Sequence, residues 1–253
     1  MNFLKIFLLS FVQGVTEFLP ISSSGHLSLL EYFFKIEEPL IFIVALHFGS
    51  LFAIFLYFFK DIKKIFFPFQ KDLFFKILIA SLPLVIIPFF DDFIEKTFSS
   101  IKFIIIGFSL TAFLLLLTKF LKKSSKSIHQ YSYLDAFLIG LSQLLSVFPG
   151  ISRSGTTITT ALFLKSQKEE AFKFSFLLSL ISISGAVLLK LKNIITLANN
   201  HSFIPPLLLS FILSFIFSYF SLMFLKRIVI KNKLYYFSFY LIGLIIFLAI
   251  FLK

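Results

Sequence analysis

The chain has 253 residues, of which 58% are hydrophobic and 14% are charged, with a net charge of +12 and a mean hydropathy of +1.00. This composition predicts an all-α integral membrane protein and excludes an ordinary soluble domain, so the positive charge does not indicate nucleic-acid binding. The sequence contains no cysteine, which excludes disulfides, thiolate metal sites and thiol redox chemistry.

The first segment, Asn2 to Leu19, is apolar but does not resemble a cleaved signal peptide. Gln13, Glu17 and Pro20 stand where the small residues of a cleavage site would be. The segment runs into a polar string at residues 13–26. An ionisable group at membrane depth costs several kcal/mol, so this string is interpreted as a functional site that faces a cavity.

Six apolar runs are long enough to be transmembrane helices, which need about 20 residues. Three of them follow the first polar string, and three follow a second string at residues 149–157. The predicted spans are Pro39 to Phe59, Leu73 to Phe90, Ile101 to Leu121, Phe172 to Leu189, Phe203 to Leu225 and Leu234 to Leu252.

The apolar stretches beside the two strings are too short to cross a bilayer separately. A serine-rich turn between two full spans is therefore disfavoured, and each string is predicted to be the tip of a re-entrant helix pair. Prolines and glycines at the tips would end the helices. The pairs are Leu4 to Val12 with Leu27 to Phe34, and Tyr133 to Leu145 with Thr159 to Leu164.

The two strings are related by a shift of 130 residues. An odd number of spans follows each one, so the second copy would be inverted, and the two tips would meet near the midplane. The prediction is a single membrane domain, 1–253, with inverted repeats at approximately 1–125 and 130–253. The shift aligns Gln13 with Gln143, Phe18 with Phe148, Ile21 with Ile151, Ser22 with Ser152, Ser24 with Ser154 and Gly25 with Gly155.

The basic residues indicate the orientation of the chain. Most of the 24 Lys and Arg residues lie in alternate loops, which the positive-inside rule assigns to the cytoplasmic face. Both termini are then expected outside, as is the acidic loop of Asp91, Asp92 and Glu95. The basic loops are residues 60–76, 119–126, 165–173 and 226–233.

The strings carry the groups that phosphoryl transfer requires. Arg153 supplies a permanent cation with a planar fork for phosphate oxygens, and the two serine-rich tips would open helix N-termini towards an anion. Glu17, Ser23 and His26 supply a carboxylate, a hydroxyl and an imidazole, and Glu17 could orient His26. Glu17 and Arg153 could instead form only a structural ion pair, although buried pairs stabilise poorly.

Several of the single polar residues have simpler explanations. His26 alone would be a hydrogen-bonded helix cap, and each serine alone a cap or packing residue. His47 is a weaker polar candidate inside a span. Because the two strings also contain Glu17 and Arg153, a functional role is favoured for His26.

These residues resemble the motifs of the undecaprenyl-diphosphate phosphatase family, the bacitracin-resistance membrane proteins. One family motif matches Phe174 to Leu178, and the resemblance covers nearly the whole chain. Gln13 stands where the family has Glu or Gln, and His47 replaces a common Gln. The first signature matches Gln13, Glu17, Phe18, Leu19, Pro20, Ser22, Ser23, Gly25 and His26, and the second matches Pro149, Gly150, Ser152, Arg153, Ser154 and Thr157.

The resemblance implies hydrolysis of undecaprenyl diphosphate to the monophosphate at a site that opens to the outer face of the bacterial inner membrane. It implies dependence on a divalent cation, Mg or Ca, with Glu17 the best candidate ligand. Glu17, Ser23, His26 and Arg153 are the implied catalytic residues, with either Ser23 or His26 as the attacking group. The expected substrate-binding residues are Gln13, Thr16, Ser22, Ser24, Gly25, Ser152, Ser154, Gly155 and Thr157.

The expected partners are the polyprenyl diphosphate lipid, membrane lipids and a second copy of the chain in a homodimer. Two rival functions remain open from the sequence. An inverted-repeat transporter or flippase of a lipid phosphate would use the same midplane site. A resistance protein that only sequesters the lipid would bind it without releasing phosphate.

Overall fold

A computed structural model of the protein describes residues 3–34, 40–121, 125–195 and 204–251. Every regular element in these ranges is helical, which confirms the predicted all-α class. The helices are α1 (Phe3–Thr16), α2 (Ser23–Phe34), α3 (Leu40–Tyr57), α4 (Phe59–Phe66), α5 (Lys71–Ser81), α6 (Asp91–Phe98), α7 (Ile101–Leu117), α8 (Tyr133–Leu145), α9 (Arg153–Phe163), α10 (Lys168–Ile195), α11 (Ile204–Ile230) and α12 (Tyr236–Phe251).

Four stretches of helix in the described ranges are long and apolar enough to cross a membrane, and α3 with α4 adds a fifth if this bent pair is one span. The sixth predicted span corresponds to α12, which has only 16 residues and is shorter than the full crossing expected. The chain is thus a multi-pass membrane protein. Four residues at the ends of predicted segments, Asn2, Pro39, Phe203 and Leu252, lie outside the described residues.

The span predicted from Leu73 to Phe90 is not a uniform α-helix. The α5 helix continues into a 3-10 segment from Leu82 to Phe90, and then into α6. Pro83 and Pro88 explain the change, because each lacks the backbone N–H that an α-helix needs at that point. Together these segments form one candidate membrane span from Lys71 to Phe98.

The basic loop after the first span contains a helix that the sequence interpretation did not identify. The axis of α4 bends by 68° from that of α3, and its single buried residue is Ile65. Its lysines are exposed, as are Phe59 and Phe66. A basic amphipathic helix of this kind is suited to lying in the membrane interface.

The four predicted basic segments lie together at one end of the molecule. Asp61 in α4 forms a 2.6 Å ion pair with Lys173 in α10. The N–H of Lys126 donates to the carbonyl of Lys165 at 3.0 Å, and Lys168 donates to the carbonyl of Ile230 at 3.4 Å. Residues 122–124 lie outside the described ranges, but the remaining loops share one face as the charge pattern predicts.

The short predicted helices beside the polar strings are present as α1, α2, α8 and α9, with 11 to 14 residues each. They pack in a reciprocal pattern: α1 lies against α11, and α8 lies against α5. Glycines permit both close approaches. A Cβ at Gly14 would lie 2.9 Å from the Ser214 carbonyl oxygen, and one at Gly140 would lie 2.1 Å from that of Ala80.

The tip of the first string is held by aromatic packing in the core. Phe18 is fully buried and meets Phe176 of α10 edge-on at 5.4 Å between ring centroids. Phe176 in turn packs on Phe58 and Phe172. The rigid core therefore fixes the turn that carries Glu17.

A first prediction concerns Gly107, where α7 touches the second string. A Cβ at this position would lie 2.1 Å from the Pro149 carbonyl oxygen. Gly107→Ala should therefore destabilise the fold by about 1–3 kcal/mol, as overpacking does elsewhere. We expect a lower unfolding temperature in detergent. Gly243→Ala is the control, because a Cβ there meets no atom within 4 Å, and equal melting of both variants would refute the close contact.

Candidate active site

The first tip is a tight turn between α1 and α2. Ser22 adopts a φ of 69°, a left-handed conformation that is uncommon for a residue with a side chain. Its hydroxyl accepts a hydrogen bond from the N–H of Gly25 at 3.3 Å. Ser22 therefore caps α2 and places Ser23 at the start of this helix.

The second tip repeats this local chemistry between α8 and α9. The hydroxyl of Ser152 accepts from the N–H of Gly155 at 3.1 Å and so caps α9. In both tips the capping serine also contacts the serine two residues later at 3.2 Å, Ser24 in the first and Ser154 in the second. The positive φ of this tip belongs to Gly150, at 84°.

The two tips touch each other. A Cβ at Gly25 would lie 3.0 Å from the Cα of Gly150, so only glycine fits this approach without a shift. Thr111 of α7 ties down the second tip, because its hydroxyl donates to the Gly150 carbonyl at 2.9 Å and accepts from the Ser152 N–H at 3.0 Å. The first turns of α2 and α9 therefore begin next to each other.

Glu17 and Arg153 form a direct ion pair across the tips. Nη2 of Arg153 lies 2.6 Å from Oε1 of Glu17, and the side chains are only 15% and 5% exposed. Nη1 donates to the hydroxyl of Ser182 in α10 at 2.7 Å. The structure therefore joins residues that are 136 positions apart in sequence, and it orients the guanidinium with two different partners.

The second oxygen of Glu17 collects the hydroxyl and amide donors of the first string. Ser23 donates to Oε2 at 2.6 Å, and Gln13 donates to it at 3.0 Å. Nδ1 of His47 lies 3.1 Å from the Gln13 amide nitrogen and 4.0 Å from Oε2. His47, a weak candidate from sequence, thus borders the carboxylate.

His26 is oriented differently from the sequence interpretation. Its Nδ1 lies 2.7 Å from the carbonyl of Ser22, and its Nε2 lies 2.8 Å from the hydroxyl of Tyr240 in α12. Glu17 was expected to orient this imidazole, but the carboxylate is occupied by Gln13, Ser23 and Arg153. A backbone carbonyl takes that role because it is next to the ring in the same turn.

Other predicted substrate-binding hydroxyls are engaged within the protein. Thr16 donates to the carbonyl of Val12 at 2.6 Å. Thr157 is fully buried and bonds to the Arg153 carbonyl at 2.7 Å and to Ser175 in α10 at 2.6 Å. Both residues fix backbone near the site, and Thr157 positions the first turn of α9.

The sequence interpretation missed three residues that contact the site: Thr111, Ser182 and Tyr240. All three lie outside the two strings, on helices whose residues are mostly apolar. Ser182 alone left a signal, since Ser175, Ser179 and Ser182 recur at helical spacing on α10. Nothing comparable distinguishes Tyr240 from the other tyrosines.

Few side chains beside the two tips are suited to binding a divalent cation. In the part of the chain that the structure describes, no three His, Asp or Glu side chains are arranged so that they could hold a metal ion together. The Oε1 atom of Gln13 is buried without a hydrogen-bond partner and lies on the amide that contacts Glu17. One carboxylate and one free amide oxygen suit Mg²⁺ or Ca²⁺ when substrate phosphates complete the shell.

Comparison with known proteins agrees with the motifs. Residues 6–247 match the family model described as bacitracin resistance protein BacA. Similar proteins named undecaprenyl-diphosphatase occur in Methanococcus maripaludis strain C7, with 39% identity over 92% of this chain and 94% of the relative, and in Thermosipho africanus, with 40% identity over the same shares. One from Thermotoga maritima is 36% identical, again over 92% and 94%. The chain belongs to the bacitracin resistance protein BacA family.

Proposed function

We propose that this protein hydrolyses undecaprenyl diphosphate to undecaprenyl phosphate and inorganic phosphate. The reaction recycles the lipid carrier of cell-wall synthesis and confers bacitracin resistance. The observation that carries the proposal is the continuous contact from Arg153 through Glu17 to Ser23, which joins a cation, a carboxylate and a hydroxyl. The names of the relatives indicate the same substrate.

Binding of the diphosphate would use the positive charge at the junction of the tips. Arg153 can turn its planar fork from Glu17 towards phosphate oxygens, which it binds bidentately. The N-termini of α2 and α9 add the backbone N–H groups of their first turns that the serine caps leave unpaired. Gly25 and Gly155 lie in these first turns, and each donates its N–H to the capping serine, Ser22 or Ser152.

Ser23 is the proposed nucleophile. As Glu17 accepts its proton, Ser23 Oγ forms a bond to the terminal phosphorus, and the bond from this phosphorus to the bridging oxygen breaks. The bond electrons leave with undecaprenyl phosphate. The 2.6 Å hydrogen bond to Glu17 supports Ser23 over His26 as the attacking group, because a nucleophile needs an adjacent base.

His26 would act in the second step. Its Nε2 removes a proton from water as the water oxygen attacks the phosphorylated Ser23, and phosphate is released as Glu17 returns its proton to Ser23. Arg153 stabilises the charge on the equatorial oxygens in both steps. His26 then releases to solvent the proton that it took from water, which returns the enzyme to its starting state, and each bond that forms is matched by one that breaks.

A divalent cation, Mg or Ca, is proposed as the cofactor. Glu17 and Gln13 would hold it, with phosphate oxygens of the substrate. When bound, it neutralises charge on the diphosphate.

The architecture proposed for this site is an inverted repeat of residues 1–125 and 130–253, with each half a re-entrant pair followed by three transmembrane helices. The matching serine caps of the two tips support it, as does the reciprocal packing of α1 on α11 and α8 on α5. The basic end of the molecule supports a cytoplasmic face. Both termini and the opening of the site are then on the outer face of the inner membrane, and the homodimer remains a proposal.

Release of inorganic phosphate from a polyprenyl diphosphate in detergent micelles tests the function. We expect release that is lost after chelation and restored by Mg²⁺ or Ca²⁺. A transporter would instead move the lipid across sealed vesicles without cleaving it, and a sequestering protein would bind it in micelles without release. Either result would overturn the assignment.

A further inference from the structure

The imidazole of His26 is held at both nitrogens. The Ser22 carbonyl, 2.7 Å from Nδ1, can only accept a hydrogen bond, so Nδ1 carries the proton. In the neutral ring, Nε2 then has the lone pair. The hydroxyl of Tyr240, 2.8 Å away, is the donor to it.

Aromatic packing fixes the plane of the same ring. The rings of His26 and Tyr240 stack with 5.8 Å between centroids and 11° between planes. Phe108 meets the imidazole edge-on at 5.2 Å. The three residues come from α2, α12 and α7, so two distant helices locate one side chain of the first tip.

Tyr240 is 48% exposed, whereas His26 is partly buried. A tyrosine that only filled space would not need its hydroxyl directed at the imidazole nitrogen that carries the lone pair. The phenol oxygen of Tyr240 occupies the position that water or a phosphate oxygen would need in order to contact Nε2. The contact can therefore be exchanged for substrate without disturbing Nδ1.

We infer that Tyr240 is a positioning residue of the reaction, which holds the lone pair of His26 Nε2 directed into the site until water or a phosphate oxygen replaces the phenol. This inference rests on the proposed role of His26. It assigns a function to α12, which also packs against α7 and brings Phe247 beside Phe33 of α2.

Tyr240→Phe removes the hydroxyl and retains the stacked ring. We expect kcat for phosphate release to fall about three- to tenfold with an unchanged KM, the range expected for one neutral hydrogen bond. The ¹⁵N NMR signal of His26 Nε2 in histidine-labelled protein, assigned by its absence in His26→Gln, should shift because the hydrogen bond from the phenol is lost, while Nδ1 stays protonated. Tyr236→Phe is the matched control one turn earlier on α12, and both measurements should match the wild type.

Tyr240→Leu removes the stacked ring as well, and it separates packing from hydrogen bonding. A normal Tyr240→Phe beside a defective Tyr240→Leu would show that Tyr240 only packs, and would overturn the inference. A rise in KM alone in Tyr240→Phe would also overturn it, because the phenol would then bind the headgroup. If the wild type released no phosphate, the proposed function would fail, yet the NMR comparison would still report whether Tyr240 donates a hydrogen bond to Nε2 of His26.

Discussion

Replacing Arg153 with alanine is expected to reduce phosphate release by about 10³- to 10⁵-fold, the effect of removing an arginine that stabilises a transferring phosphoryl group. The structure gives the physical reason. Arg153 is the cation that contacts Glu17, at 2.6 Å, and it stands at the first turn of α9 beside the meeting point of the tips. Lysine should recover little, because its point charge cannot serve Glu17 and Ser182 together as the two guanidinium nitrogens do.

The same variant would leave Glu17 buried without its counter-ion, and breaking such a pair commonly destabilises a fold by about 3–5 kcal/mol. The double variant Glu17→Gln with Arg153→Gln removes both charges and should fold, yet remain inactive. Arg227→Ala is the control, since the only other arginine of the sequence is exposed at the end of α11. Substantial turnover in folded Arg153→Ala would contradict the proposed site.

The two strings were visible in the sequence because polar residues are rare at membrane depth. Glu17, Ser23, His26 and Arg153 could therefore be named, and the structure places them around the junction of the tips. The hydrogen-bond partners of these side chains were harder to predict. Periodicity does not say which donor an imidazole meets, so the Ser22 carbonyl was missed as its partner, and Tyr240 is 214 residues away in the chain.

The helices of the fold could be predicted from the sequence, but their local interruptions could not. Hydrophobic length identified the long helices, and the short stretches beside each string became α1, α2, α8 and α9. Local interruptions were harder to predict, because an apolar run with Pro83 and Pro88 has the same hydropathy whether it is α-helical or 3-10. The helix α4 was missed because its lysines indicate a loop until its apolar face is considered.

Ser23→Ala should abolish the covalent step and reduce turnover by about 10³-fold or more, as removal of a nucleophile does in other enzymes. Ser23 donates its hydroxyl to Glu17 at 2.6 Å, whereas the hydroxyls of Ser22 and Ser24 contact each other. Ser109→Ala is a control of the same chemistry, because Ser109 is exposed on α7 and donates to the carbonyl of Ile105. Glu17→Gln should be similarly impaired, since an amide cannot accept the proton of Ser23.

A trapped intermediate distinguishes Ser23 from His26 directly. In His26→Gln the attack by Ser23 should proceed while hydrolysis slows, so label from the terminal phosphate of the substrate should accumulate on the protein. A phosphoserine survives an acid quench, whereas a phosphohistidine does not. Acid-stable label that disappears in Ser23→Ala would establish the order of the two steps. Acid-labile label in the wild type, with turnover retained in Ser23→Ala, would instead assign the attack to His26 and leave Glu17 and Ser23 as its support.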